Sequence, residues 1–141
     1  MGKCELIAEI GWNHMGDMSL AEKMILEAAQ SGADYCKFQT WKVKNLKNGP
    51  WDTDGRLEIY NKAELSDQDH SILVDLCKKY NVKFLTSVFN INDIKFVSRL
   101  STKAIKIPSH EVYNIDLIKK SCDNFEKIFI SVGACEWEEF N

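Results

Sequence analysis

The sequence predicts an α/β protein that folds as about the first five βα units of a (β/α)8 TIM barrel. Short apolar strands alternate with amphipathic helices along the 141 residues, and this alternation requires parallel strands joined by helical crossovers. Polar and charged side chains occupy alternate strand positions, as expected where one strand face lines a barrel interior. Similar side chains follow the strand ends, where parallel α/β enzymes assemble their sites.

The first unit is a strand at 6–11 followed by a helix. In Ser19-Leu20-Ala21-Glu22 a hydroxyl residue precedes an acidic residue by three positions, which predicts a capping box at the start of that helix. Apolar residues then recur on one helical face until Gly32, a typical residue for a helix end. The second strand is predicted at 35–40.

The later units repeat this arrangement. Ser66-Asp67-Gln68-Asp69 has the same capping spacing and predicts a helix that ends near Tyr80-Asn81. The connection 41–65 is much longer than the others, which is typical of a functional or mobile loop. The remaining predicted elements are strands at 83–89, 104–109 and 127–133, helices around 92–100 and 114–122, and a helical turn at 137–140.

The strand pattern favours a barrel over an open sheet. Lys37 and Gln39 share one face of the second strand, whereas Cys36 and Phe38 take the other. Strands of an open sheet covered on both faces would be uniformly apolar. A closed barrel takes about 250 residues, so we expect residues 1–141 to be the amino-terminal part of a barrel domain. Five strands alone would leave two exposed sheet edges.

Composition excludes several classes of function. The net charge is −3 and the lysines are dispersed among acidic residues, which argues against binding to nucleic acid or to an anionic membrane surface. No apolar run is long enough to span a bilayer, and no secretory signal precedes the first strand. The five cysteines include no C-x-x-C pair, which predicts reduced thiols and a cytoplasmic protein.

Two lysines inside apolar strands are the first indication of a ligand. Lys37 lies within 35–40 and Lys106 within 104–109. A desolvated ammonium group requires a partner, and we expect both lysines to bind one small anion in a common cavity. An internal salt bridge to Glu9 is an alternative that requires no ligand. A second alternative is a Schiff-base aldolase in which Lys106 attacks a carbonyl carbon.

Five motifs follow one another, one at each strand end. They are Ala8-Glu9-Ile10-Gly11-Trp12-Asn13-His14-Met15-Gly16, Lys37-Phe38-Gln39, Phe84-Leu85-Thr86-Ser87-Val88-Phe89, Lys106-Ile107-Pro108-Ser109-His110-Glu111 and Ile130-Ser131-Val132-Gly133. In this order they resemble the N-acetylneuraminate (sialic acid) synthase family, whose motifs read A-E-I-G-x-N-H-x-G, K-F-Q, F-L-S-T-P-F, K-I-x-S-x-E and I-S-T-G. The resemblance covers nearly the whole chain. The sequence departs from the family at Thr86-Ser87-Val88, in place of S-T-P, and at Val132, in place of threonine.

The resemblance implies a condensation of phosphoenolpyruvate with an N-acetylated amino sugar such as N-acetylmannosamine, which gives a nine-carbon 2-keto acid and phosphate. It implies that Glu9 and Glu111 are catalytic carboxylates and that Asn13 and His14 shape the sugar end of the site. The residues that it assigns to phosphoenolpyruvate are Lys37, Gln39, Ser87, Lys106, Ser109 and Ser131.

The resemblance also implies a divalent metal, Mn²⁺ or Mg²⁺, whose histidine ligands in the family lie in the later part of the barrel. Here His14, His70 and His110 show no compact ligand spacing, and His70 falls on a predicted helix away from the site. We therefore predict that residues 1–141 hold no metal by themselves.

The family further implies a homodimer and a small carboxy-terminal antifreeze-like (SAF) domain, which residues 1–141 do not contain. A non-enzymatic alternative stays open at this point. A half-barrel that is truncated, or that depends on a partner chain, would bind a phosphate-bearing ligand without turning it over.

Overall fold

Five parallel strands form one sheet in the order β1-β2-β3-β4-β5. The computed structural model describes residues 4–133 and 135–140. Each strand pairs with the next one along the chain, which is the strand order of a barrel and confirms the predicted α/β class. The strands are β1 (Ile7–Gly11), β2 (Tyr35–Thr40), β3 (Lys83–Val88), β4 (Ala104–Ile107) and β5 (Lys127–Ile130).

Helices connect the strands and cover one face of the sheet. The helices are α1 (Met18–Gln30), α2 (Arg56–Ala63), α3 (Asp67–Lys79), α4 (Ile91–Val97) and α5 (Ile115–Cys122). Four short 3-10 turns lie at Val43–Asn45, Pro50–Asp52, Ser109–Glu111 and Trp137–Phe140. The long connection 41–65 is therefore structured, since it contains α2 and two of these turns.

Two expectations from the sequence concern membrane-spanning helices and disulfide bonds. Within 4–133 and 135–140, none of the helices combines the length and the apolar character needed to cross a membrane. All five cysteines are free thiols, as predicted.

The capping predictions for α1 and α3 have different outcomes. The capping box of α3 is confirmed, because the Asp69 amide donates to Ser66 Oγ at 3.1 Å and the Ser66 amide donates to Asp69 Oδ2 at 2.8 Å. The prediction for α1 is wrong. The N-cap is Asp17, whose Oδ1 accepts hydrogen bonds from the backbone amides of Ser19 at 2.8 Å and Leu20 at 3.1 Å. A carboxylate two residues before Ser19 starts the helix earlier and leaves Ser19 in the first turn.

The apolar core has two layers on the helix-facing side and a third on the inner face. One helix-facing cluster packs α1 and α3 on β1–β3, with Phe38 and Phe84 stacked at 5.7 Å between ring centroids. The other packs α4 and α5 on β4. On the inner face a smaller cluster fills the level below the polar strand ends, and its members are Tyr35, Leu85, Ala104 and Phe129.

Burial decreases from the middle of the sheet towards its edges. Every residue of β2 except Gln39 is buried, and so is every residue of β3 except Lys83. Among the described residues β1 pairs only with β2 and β5 only with β4, and their side chains are more open, with Ile7 36% and Ile130 39% exposed. Lys37 and Lys106 therefore lie on the strands in the best-packed part of the sheet.

The revised N-cap of α1 gives the first testable prediction. Asp17→Ala removes the acceptor of two backbone amides and is expected to lower the free energy of unfolding. Ser19→Ala is expected to cost less, because the Ser19 hydroxyl only donates to Asp17 Oδ1 at 2.7 Å on an exposed surface. Urea unfolding measures both values, with Ser66→Ala at the confirmed cap of α3 as the reference. A larger loss for Ser19→Ala than for Asp17→Ala would restore Ser19 as the cap.

Candidate functional site

The carboxyl ends of β1–β4 bring polar side chains together on the inner face. Lys37 Nζ lies 2.6 Å from Glu9 Oε2 and donates to Ser87 Oγ at 3.1 Å. The strand register pairs Glu9 with Lys37, Gln39 with Ser87, and Ser87 with Lys106. Since register partners share a face, these five residues form one surface, as side-chain alternation in the sequence predicts.

Among the described residues, Lys106 has oxygen partners but no carboxylate partner. Its Nζ donates to the carbonyl oxygen of Ile107 at 2.9 Å and to Ser131 Oγ. None of the ion pairs found within 4–133 and 135–140 includes Lys106. Burial lowers the pKa of the Lys106 ammonium, the positive charge of Lys37 lowers it further, and Glu9 opposes both effects. The two lysines therefore face a common space.

The charges on this face bear on one alternative left open by the sequence, the internal salt bridge to Glu9. The internal salt bridge exists for Lys37, which pairs with Glu9, and not for Lys106. The three groups carry two positive charges and one negative charge, so one positive charge is left over. A small anion is the species that this surface is best suited to bind.

Glu111 and Ser109 lie on the short turn that follows β4. Glu111 is only 5% exposed, and its Oε2 accepts a hydrogen bond from Asn114 Nδ2 at 2.7 Å. Its Oε1 lies 3.6 Å from Lys47 Nζ, which comes from the long connection 41–65. No sequence pattern indicates Asn114 or Lys47 as partners of this carboxylate. They make Glu111 a buried, oriented acceptor.

An aromatic cavity of about 410 Å³ opens beside Gln39 and Glu111. This volume lies within the range of about 300–1,000 Å³ that is usual for small-molecule sites. The two lysines lie outside its lining, so the cavity and the anion surface are neighbours that share Gln39 and the turn after β4. Its walls are mainly the aromatic side chains of Trp12, Trp41, Trp51, Tyr60 and Phe89.

The side chain of Asn13 lies near that of Glu9, next to Gly11. Gly11 has a φ of +60°, and a Cβ added there would lie 3.3 Å from Glu9 Oε1 and 3.9 Å from Asn13 Nδ2. Both side chains therefore approach Gly11 from one side. The Asn13 amide also donates to the carbonyl oxygen of Ile10 at 2.8 Å, which ties the turn to the end of β1.

His14 lies on the other side of the sheet. Its ring is fully buried with a centroid 6.1 Å from that of Phe38, which faces the helices. Its Nδ1 accepts the Gly16 amide at 3.0 Å, and burial lowers its pKa. The structure thus separates His14 from Asn13, because the turn after β1 directs successive side chains to opposite faces. The expectation that both shape one end of the site is supported in position for Asn13 alone.

His70 is closer to the site than its position on a helix suggests. It does not line the cavity, but its buried ring reaches the end of β2, where Nε2 lies 2.8 Å from Thr40 Oγ1. The signal for this contact is weak in the sequence, since only the spacing of three and seven residues to Leu73 and Cys77 puts His70 on the inner side of α3.

The described residues do not fit a metal ion. Within that part of the chain, no three His, Cys, Asp or Glu side chains are arranged to hold one. Glu9 is paired with Lys37, and Glu111 accepts from Asn114. His110 stacks on Phe89 with ring centroids 5.5 Å apart.

Comparison with known proteins identifies the family. The model of the NeuB family matches residues 24–141. The N,N'-diacetyllegionaminic acid synthase of Campylobacter jejuni is 38% identical over 99% of this chain and 45% of its own length. The enzyme of the same name from Legionella pneumophila is 33% identical over 96% of this chain and 41% of its own length.

A solved structure supports the same assignment. The N-acetylneuraminic acid synthetase of Leptospira borgpetersenii superposes with a TM-score of 0.86 at 26% identity, over 98% of this chain and 47% of that protein. This match confirms that the five βα units are part of a TIM barrel. The chain spans less than half the length of each of these relatives. It belongs to the NeuB family.

Proposed function

We propose that this chain forms the phosphoenolpyruvate-binding part of a nonulosonic acid synthase, which condenses phosphoenolpyruvate with an N-acetylated amino sugar. The observation that carries the proposal is Lys106, a partly buried ammonium that lies near Lys37 and has no carboxylate of its own. In phosphoenolpyruvate the phosphate oxygen and the carboxylate are both attached to carbon 2. The negative charges of these two groups would offset the positive charge that Glu9 leaves uncompensated.

In this proposal the anion is held by side chains on β2–β4 and on the segments that directly follow β4 and β5. Lys37 and Lys106 bind the phosphate and the carboxylate, and each lysine already has a serine hydroxyl as neighbour, Ser87 and Ser131 respectively. Gln39 and Ser109 add an amide and a hydroxyl. Because strands β2 and β3 are buried, these donors are held in position before the ligand binds, which reduces the cost of ordering them.

The amino sugar would occupy the aromatic cavity, with Gln39 between the two substrates. Flat aromatic side chains such as Trp12 and Trp51 suit the apolar face of a sugar ring and the methyl group of an acetamide. The polar groups of the wall, among them Glu111 and Asn90, suit hydroxyl groups.

The proposed reaction joins carbon 3 of phosphoenolpyruvate to the aldehyde carbon of the open-chain sugar. Water then adds to carbon 2, and phosphate leaves with cleavage of its carbon–oxygen bond. Glu9 and Glu111 are the carboxylates proposed to transfer protons, to the new hydroxyl group and from the attacking water. The lysines stabilise the negative charge that moves onto the departing phosphate.

A divalent metal would polarise the aldehyde when bound. Because the described residues do not fit one, no step is assigned to it, and we propose that its ligands lie outside residues 1–141.

One observation also suits the Schiff-base alternative, since a lysine with a lowered pKa is a better nucleophile. Borohydride reduction in the presence of pyruvate distinguishes the two reactions. We expect no covalent adduct on Lys106 by mass spectrometry, because a condensation that proceeds through water requires none.

Anion binding is the direct test of the proposal. Titration of the chain with phosphoenolpyruvate, followed by calorimetry or tryptophan fluorescence, should give saturable binding that inorganic phosphate competes with. Lys37→Met and Lys106→Met should each weaken binding by about tenfold or more, since each removes a charged hydrogen bond. Lys95→Met, on the exposed surface of α4, is the matched control and should bind as the wild type does. Equal affinity in all four proteins would contradict the proposal.

Replacement of Lys106 is expected to weaken ligand binding but to raise the stability of the fold. Without ligand, Lys106→Met should raise the free energy of unfolding by up to about 1 kcal/mol, because an apolar side chain of similar length avoids desolvation of the ammonium. Lys95→Met should leave stability unchanged. Urea unfolding measures both, and a destabilised Lys106→Met protein would mean that the ammonium is adequately paired within the fold.

A further inference from the structure

A chain of buried hydrogen bonds links α3 to the ends of β2 and β3. His70 Nδ1 lies 2.8 Å from the carbonyl oxygen of Ser66, and His70 Nε2 lies 2.8 Å from Thr40 Oγ1. Thr40 Oγ1 also lies 2.8 Å from Thr86 Oγ1. The three side chains are at most 2% exposed, so water does not compete for these bonds.

The partners fix the direction of each bond. A carbonyl oxygen can only accept, so His70 Nδ1 carries the hydrogen and donates to Ser66. Burial lowers the pKa of His70 and favours the neutral ring, whose Nε2 then accepts from the Thr40 hydroxyl. Thr40 in turn accepts from Thr86 at 2.8 Å, which is shorter than the 3.3 Å from Thr86 Oγ1 to its other acceptor, the carbonyl oxygen of Ser87. Each group has one role in a chain that runs from Thr86 through Thr40 and His70 to Ser66.

This chain lies directly behind two residues of the anion surface. Thr40 follows Gln39 and Thr86 precedes Ser87, while Gln39 and Ser87 are register partners. Because side chains alternate along a strand, the threonines face α3 while Gln39 and Ser87 face inward. A displacement of either threonine would therefore move the backbone of the neighbouring site residue.

We propose that the hydrogen bonds from Thr86 to Ser66 form a positioning relay, in which His70 and the two threonines hold Gln39 and Ser87 in the geometry that the anionic ligand requires. His70 contacts no ligand in this proposal and acts through the strands. Ser66 is both the N-cap of α3 and the residue after the connection 41–65, so the relay also joins the cavity wall to the anion surface. The ligand named in the test rests on the proposed function.

The test compares Thr40, at the end of β2, with Thr102, which lies in the connection just before β4. Thr40→Val removes the central hydroxyl of the relay and keeps the shape of the side chain. Thr102→Val is the matched control. Thr102 Oγ1 donates to the carbonyl oxygens of Phe84 at 2.9 Å and Ala104 at 3.0 Å, which lie at the amino ends of β3 and β4, away from the anion surface. Both variants should lose stability. At equal folded fraction, Thr40→Val should bind phosphoenolpyruvate about tenfold more weakly, and Thr102→Val should bind it as the wild type does.

Conservative variants separate positioning from general packing. Thr40→Ser keeps the hydroxyl and should restore the affinity that Thr40→Val loses. If Thr40→Val does not fold, Thr86→Val removes the first donor of the relay and replaces it in the comparison. Equal weakening by Thr102→Val and Thr40→Val, or no recovery in Thr40→Ser, would overturn the proposal.

A second readout requires no ligand. In nuclear magnetic resonance spectra, the Gln39 side-chain amide and the Ser87 backbone amide should shift in Thr40→Val and remain unchanged in Thr102→Val. Nitrogen spectra of the wild-type imidazoles should show His70 protonated at Nδ1. If the wild type fails to bind phosphoenolpyruvate, the proposed function is wrong, and these spectra decide the relay alone: unshifted Gln39 and Ser87 signals in Thr40→Val would refute it.

Discussion

The desolvated positive charge on the inner strand face is the constraint on which the rest of the structure depends. Lys37 is kept in place by Glu9 and Ser87, whereas Lys106 has only a carbonyl and a hydroxyl oxygen. Below them the inner face is filled by apolar residues such as Leu85, so the charges stay at the carboxyl ends of the strands. A layer of apolar side chains below the polar strand ends allows a barrel both to be packed and to bind a ligand.

The helix-facing side of the same strands must be rigid for this arrangement to hold. Phe38 and Phe84 stack on this side, Thr40 bonds to His70, and Thr86 bonds to Thr40. Each strand thus serves two layers at once, since residues that face the ligand alternate with residues packed against the helices. Packing on the helix-facing side of the strands therefore fixes the positions of the residues that line the barrel interior.

Sequence reasoning succeeded for local patterns except at the start of α1, where Asp17 is the N-cap in place of the predicted Ser19. The period of two along a strand assigned Lys37 and Gln39 to one face, and the spacing of Ser66 and Asp69 gave the start of α3. It failed where the outcome depends on the path of a turn or on distant segments. The backbone after β1 sends His14 to the helices, and the Lys47 partner of Glu111 comes from a connection whose own fold creates the aromatic cavity. Neither depends on a short sequence period.

The unequal exposure of the Lys37–Glu9 pair bears on how an anion would enter this site. The Lys37 side chain is 8% exposed, whereas the Glu9 side chain is 56% exposed. Lys37 therefore needs a partner at all times, and Glu9 can return to water at little cost. In the proposed function, the arriving phosphoenolpyruvate takes over the ammonium of Lys37 and releases the Glu9 carboxylate. Substrate binding then frees a proton-transferring group next to the reacting carbon atoms, so that the ion pair of the empty site becomes part of the chemistry only when the substrate is present.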